Sequence, residues 1–202
     1  MTDLPNDEKS ELHSSVILGA NVFVRQYSHL RENVSIGTNT KVGRNVYIGP
    51  GVTVGENCKI QNNALIYEPA ILGDGVFVGP GVILTNDTYP RAVNPSGELK
   101  QSEDWLPVGV IIGKGASIGA GAVCVAPLSI GSWALIGSGS VVTKDVPQYA
   151  LVVGNPAKQI GWVGKVGATL IQENDGSYTC PVSGMKYKMD GRVLHEENEQ
   201  ST

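Results

Sequence analysis

Aliphatic residues recur along this chain at a fixed interval of six. Stepping from Leu12 gives Leu18, Val24, Leu30, Ile36, Val42, Ile48, Val54, Ile60, Ile66, Leu72, Val78 and Leu84, with no slip in register. The next residue is often glycine, as at Gly19, Gly37, Gly43, Gly49, Gly55, Gly73 and Gly79. Four places after the aliphatic residue the side chain is small or β-branched, as at Val22, Val34, Thr40, Val52, Cys58 and Ala64. A second tract runs from Leu106 through Ile112, Ile118, Cys124, Ile130, Ile136 and Val142. This period fits neither a helix nor a long alternating strand. It fits very short strands joined by bends, where glycine relieves the steric cost of unusual φ. Units of this kind bury their aliphatic side only against neighbours, which makes a solenoid. With three hexads to a triangular coil, residues eighteen apart stack. The two tracts then give six to seven coils, a prism of roughly 30 Å at ~4.8 Å between strands. The pattern predicts an all-β protein, a parallel β-helix.

The stacking rule also sorts the polar residues. Asn86 falls two places after Leu84 and Glu68 two places after Ile66, so they share a column on adjacent coils, with Pro50 below. Asn62 and Asn63 belong to a neighbouring face about a coil away. Between Leu84 and Leu106 the period breaks, and TNDTYPRAVNPSGELKQSEDWLP reads as a protruding loop over 87–105. A loop this long leaving a regular solenoid is usually functional. The alternative is a tolerated insertion.

Composition narrows the class. The chain of 202 residues has 26 glycines, 15 Lys plus Arg and 19 Asp plus Glu, for a net charge of −4. No basic run marks a nucleic-acid binder, and no apolar stretch approaches the ~20 residues of a membrane span. The acidic start MTDLPNDEKSE is unlike a signal peptide. Three cysteines, Cys58, Cys124 and Cys180, do not make a disulfide framework. These features predict a cytoplasmic location with neither nucleic acid nor membrane as partner. Cys58 and Cys124 fall on inward positions and read as small core residues. His13, His29 and His195 cannot form the compact triad that a zinc site of this fold needs, and Cys180 in TCPVSG has no second pair, so no metal is expected.

The repeat resembles the hexapeptide-repeat acyltransferases, which implies a left-handed β-helix, a homotrimer and active sites between subunits. KIQNN (59–63), GVFVGP (75–80), LTND followed by YPRA (84–92) and GNPAKQIGW (154–162) are similar to segments of the nucleotide-linked 3-amino-sugar N-acetyltransferases. The resemblance runs from about residue 12 to 170. It points to enzymes that acetylate UDP-2-acetamido-3-amino-2,3-dideoxyglucuronate for bacterial surface polysaccharides. The dTDP-3-amino-3,6-dideoxyhexose acetyltransferases share much of the pattern.

The resemblance implies acetyl-CoA as co-substrate and a nucleotide sugar as acceptor. It places Asn86 at the sugar amine, with the departing CoA sulfur taking the proton. Catalysis would then rest on positioning and on backbone N–H donors for an oxyanion, for which Gly119 to Gly121 and Gly137 to Gly139 are candidates. Glu68, Asn62, His29 and Arg91 are candidate substrate contacts. For Glu68 the other reading is an exposed carboxylate, for His29 a satisfied structural histidine, and for Arg91 an ordinary loop arginine. Gly119, Gly137, Ser138, Lys144, Gly154, Pro156 and Lys158 are candidates for CoA, the lysines for its phosphates. An O-acetyltransferase is disfavoured, since no histidine stands on the central coils beside the loop. A non-catalytic β-helix scaffold is the reading outside enzymes. The predicted organisation is a disordered 1–11, a β-helix domain over 12–163, and an extension over 164–202. In that extension MKYKM, Asp190-Gly191 and RVL predict a small hairpin.

Overall fold

The computed structural model describes residues 9–191 and 193–197. The disorder expected over 1–11 therefore falls largely outside the described residues. Two-residue strands wind into a solenoid with three parallel faces. The first face stacks Glu11–Leu12, His29–Leu30, Tyr47–Ile48, Leu65–Ile66, Ile83–Leu84, Val123–Cys124 and Val141–Val142. The second begins at Ile17–Leu18 and ends at Leu128–Ile130; the third runs from Phe23–Val24 to Leu135–Ile136. The third face is closed by the hairpin Ala150–Gly154 and Ala157–Trp162. Register is eighteen throughout the first tract, with Tyr47 beside Leu65 and Leu65 beside Ile83. The all-β parallel solenoid predicted from the period is therefore the fold.

In the two-residue strands of the solenoid the second residue points inward, and in Val110–Ile112 and Leu128–Ile130 the first and third do. Leu30, Ile48, Ile66, Leu84, Ile118 and Ile136 are all fully buried. Cys58 and Cys124 are buried among them as free thiols. Leu106 is different: it is 83% exposed and belongs to the loop. Leu72 pairs with Ile112, so the second tract starts at Val110–Ile112 and the insertion extends from Asn86 to Gly109. The six-residue spacing from Leu106 to Ile112 is a coincidence of composition.

Glycine has a different cause from the one predicted. The glycines that follow the inward residue have ordinary φ. They are required because the next coil passes directly over them. A Cβ on Gly37 would stand 2.6 Å from the backbone nitrogen of Glu56, and one on Gly79 2.7 Å from that of Ala120. The left-handed conformation sits at the corners, two positions beyond. Early coils fill it with asparagine and later coils with glycine, as in the column Asn21, Asn39, Asn57, Gly75 and Gly115. Asparagine tolerates that region better than most residues. Its amide also forms a ladder, with Asn21 donating to Asn39 at 3.1 Å and Asn39 to Asn57 at 3.2 Å.

Beyond the solenoid the predicted hairpin forms between Lys186–Asp190 and Val193–Glu196, with Gly191 at φ 58° in its turn. Two further strands, Ile171–Gln172 and Tyr178–Thr179, extend it to a four-stranded antiparallel sheet. Tyr187, Leu194, Cys180 and Leu170 make its core together with Tyr149 of the last coil.

Candidate active site

Asn86 stands where the loop leaves the solenoid. Thr85 still follows the coil, its N–H donating to Cys124 and its hydroxyl accepting from Ala126 at 3.0 Å. The returning chain closes on Asn86 itself, since the Val108 N–H donates to the Asn86 carbonyl at 3.1 Å. Next to it Gly109 abuts Pro69, and a Cβ there would lie 2.7 Å from the Pro69 oxygen. The excursion therefore has a closed neck, with Asn86 half-buried in it. Within the loop, Val93 bridges Leu99, and Ser102–Asp104 forms a 3-10 turn. Tyr89, Leu99 and Leu106 are strongly exposed. Arg91 is also exposed, its guanidinium donating to the Pro90 carbonyl at 3.2 Å.

One coil below Asn86, Glu68 folds its carboxylate over Gly49, where only a glycine leaves room for it. Its Oε2 is buried and has no hydrogen-bond partner. Tyr47 and Tyr67 stand beside it on the first face, their rings 5.2 Å apart. Partial burial pushes the Tyr47 phenol up, and the Glu68 charge adds to that. Below them His29, exposed at the surface, sets its ring edge against Tyr47 at 5.8 Å. Arg31 donates to both carboxylate oxygens of Glu32 at 3.0 Å, and this pairing raises its pKa and lowers that of Glu32. Glu68 and Asn86 thus share the corner that follows the first face, while His29 stands on the face itself, two coils below Glu68.

Asn62 is not part of that corner. It precedes strand Leu65–Ile66, whereas Glu68 follows it, so the two occupy different corners. The Asn62 Oδ1 accepts the Arg44 N–H at 2.8 Å, which is a structural role. Gly119, Gly137 and Ser138 share the Asn62 corner on later coils. Within the stretches Gly119 to Gly121 and Gly137 to Gly139, the N–H groups of the four glycines all donate to neighbouring coils. Lys144 lies instead on the Asn86 column. A cavity of about 440 Å³ at the end of the solenoid brings Lys144, Pro156 and Lys158 together beside Val142, Val146 and Val152. Gly154, at φ 102°, turns the hairpin there, its N–H donating to Ser140 at 3.1 Å. Among the described residues no cluster of three His, Cys, Asp or Glu side chains is gathered.

Sequence reasoning missed Tyr47, Tyr67 and Trp105. The indole nitrogen of Trp105, near the loop's return, is also buried and unpartnered. The two tyrosines carried a signal: they are bulky aromatics on outward positions of the Glu68 edge.

Comparison with known proteins agrees with the repeat. The model for the bacterial transferase hexapeptide (six repeats) matches residues 15–50 and 51–86. That for the hexapeptide repeat of succinyl-transferase matches 33–68 and 109–144. The chain is 47% identical over 85 residues to dTDP-3-amino-3,6-dideoxy-alpha-D-galactopyranose 3-N-acetyltransferase of Aneurinibacillus thermoaerophilus, covering 41% of this chain and 43% of that one. It thus spans less than half the length of that curated relative. A hexapeptide-repeat-containing acetyltransferase of Vibrio cholerae O1 biovar eltor, complexed with acetyl coenzyme A, has a similar fold at TM-score 0.54 and 21% identity, over 65% of this chain and 71% of that one. The acetyltransferase domain of PglB from Neisseria gonorrhoeae FA1090, in complex with acetyl coenzyme A, does so at TM-score 0.52 and 20% identity, over 78% and 58%. With its coils in that fold and the two hexapeptide models together matching more than half of its length, the chain belongs to the bacterial hexapeptide-repeat transferases.

Proposed function

We propose that this protein is an acetyl-CoA-dependent N-acetyltransferase that acylates the 3-amino group of a nucleotide-linked sugar. The observation that carries the reading is the pair of orphaned polar atoms. Among the described residues, the buried side-chain atoms without partners are Glu68 Oε2 and Trp105 Nε1. One is on the coil below Asn86 and the other in the loop that Asn86 opens. Buried groups of this kind are rare in folded proteins and gather at functional sites. An acceptor and a donor together suit a polar ligand such as an amino sugar.

In this reading Asn86 orients the neutral amine against the thioester carbonyl. The nitrogen lone pair forms the C–N bond, the tetrahedral intermediate expels the CoA thiolate, and the amine proton passes to that sulfur. An amine needs less activation than a hydroxyl, so orientation carries much of the rate. The nucleotide sugar would extend toward the aromatic edge of His29, Tyr47 and Tyr67, with Arg91 approaching from the loop. Acetyl-CoA would occupy the later coils, with Lys144 and Lys158 meeting its phosphates, Gly154 and Pro156 shaping the turn, and Gly119, Gly137 and Ser138 flanking the arm. A homotrimer with the site between subunits, in the cytoplasm, completes the proposal. So do the divisions 1–11, 12–163 and 164–202.

UDP-2-acetamido-3-amino-2,3-dideoxyglucuronate is the substrate favoured by the segments around Asn86 and GNPAKQIGW. The 47% identity to an enzyme named for a dTDP-3-amino-3,6-dideoxy sugar favours the second reading, that class of acceptor. Incubation with acetyl-CoA and a panel of both sugar types, followed by free-thiol titration, tests the proposal. Thiol release with one class and not the other assigns the substrate. Release with neither removes the activity.

A further inference from the structure

The Glu68 carboxylate is orphaned for a reason that two other corners reveal. At each of them a side chain on one coil folds over a glycine below and accepts the N–H of the residue after that glycine. Asn62 covers Gly43 and accepts from Arg44 at 2.8 Å. Asp74 covers Gly55 and accepts from Glu56 at 3.0 Å. Both pairs are eighteen residues apart. Glu68 covers Gly49 in the same way, and its partner eighteen residues back is Pro50. Proline has no N–H to give. The fold therefore presents the acceptor and removes its natural donor at the one corner that adjoins Asn86.

We infer that Pro50 is a positioning residue that holds Glu68 free for the substrate, and that the 3-amino group of the nucleotide sugar is the donor that Glu68 accepts. This deepens the function proposed above and rests on it. An ionised carboxylate is an acceptor only, so it rewards a donor, and a neutral amine offers two N–H groups where a hydroxyl offers one. Asn86 is one coil away, about 5 Å by strand spacing, so one amine lies within reach of both. Glu68 thus distinguishes an amino sugar from its hydroxyl counterpart, and Pro50 keeps it from being captured by the backbone.

Restoring the N–H tests this directly. Calorimetric titration would use dTDP-3-amino-3,6-dideoxygalactose, UDP-2-acetamido-3-amino-2,3-dideoxyglucuronate and the 3-hydroxy counterpart of each. Pro50→Ala and Glu68→Gln should each weaken the preferred amino sugar at least tenfold. Each should leave acetyl-CoA affinity within twofold and change the hydroxy counterpart far less than the amine. Adding Pro50→Ala to Glu68→Gln should cost little more than either alone. A Pro50→Ala protein that binds the amino sugar like wild type overturns the inference while leaving the activity standing. Equal losses for amine and hydroxyl overturn the amine assignment. Wild-type protein that binds neither amino sugar overturns the function and this inference with it. A ligand-free check stands apart from both. Pro50→Ala should raise Tm more, or lower it less, with Glu68 present than with Glu68→Ala, and equal changes overturn the proposed capture.

Discussion

Single residues here are fixed by how closely one coil lies on the next. The glycines after the inward aliphatic are needed for space, and the corner glycines for conformation. The substitutions Gly37→Ala and Gly81→Ala separate the two causes. At Gly37 the new Cβ meets backbone of the coil above at 2.6 Å, so the coil itself must shift. At Gly81 nothing lies within 4 Å, but φ is 68°, and the cost is that of an L side chain in the left-handed region, about 1–2 kcal/mol. Thermal unfolding should show Gly37→Ala as clearly the more damaging. Cysteine chemistry follows from burial as well. Burial pushes the Cys124 thiol up to about 12 and moves Cys58 the same way. A thiol whose pKa is raised stays protonated until the pH approaches that value, so neither should react with a thiol reagent at pH 8 in the folded protein. Both should react fully in denaturant, which a timed labelling experiment followed by mass spectrometry would show.

At the scale of elements, the strands were legible because each contributes one inward aliphatic residue, and burial enforces that position coil after coil. The loop was legible as a break in the period, but its far boundary was not. Leu106 sits six residues before Ile112 and matches the pattern by type, while the neck that joins Val108 to Asn86 excludes it from the core. Periodicity reports residue type, and only register decides which residue turns inward. The corner roles were hidden for a related reason. Asn62 and Glu68 look alike as polar residues beside a strand, yet one accepts a backbone N–H and the other faces a proline. Pairing each corner residue with its neighbour eighteen positions back would have separated them.

On the scale of the whole molecule, the C-terminal sheet was seen only in part. Lys186–Asp190 and Val193–Glu196 announce a hairpin, but the two preceding strands are too short and polar to declare themselves. What makes them a sheet is tertiary. Tyr187 is fully buried, packs 5.3 Å from Tyr149 of the last coil, and its hydroxyl accepts the Lys165 N–H. Lys165 in turn pairs with Glu196 and stands over Trp133. The substitution Tyr187→Ala should therefore cost about 3–5 kcal/mol, as for other buried aromatic truncations. Hydrogen exchange should show that loss first in residues 164–197, with the central coils still protected. Uniform loss across the solenoid would mean that the extension and the coils unfold as one unit.

The proposed reaction turns on Asn86, at the closed neck, directing an amine onto a thioester. The most direct measurement is product analysis by mass spectrometry after incubation with acetyl-CoA and a nucleotide-linked 3-amino sugar, for wild type and Asn86→Ala side by side. The expected result is an amide product from wild type, turnover lower by roughly a hundredfold in the variant, as for loss of a positioning contact, and an unchanged oligomeric state. Amide formed equally well by both proteins, or by neither, would contradict it.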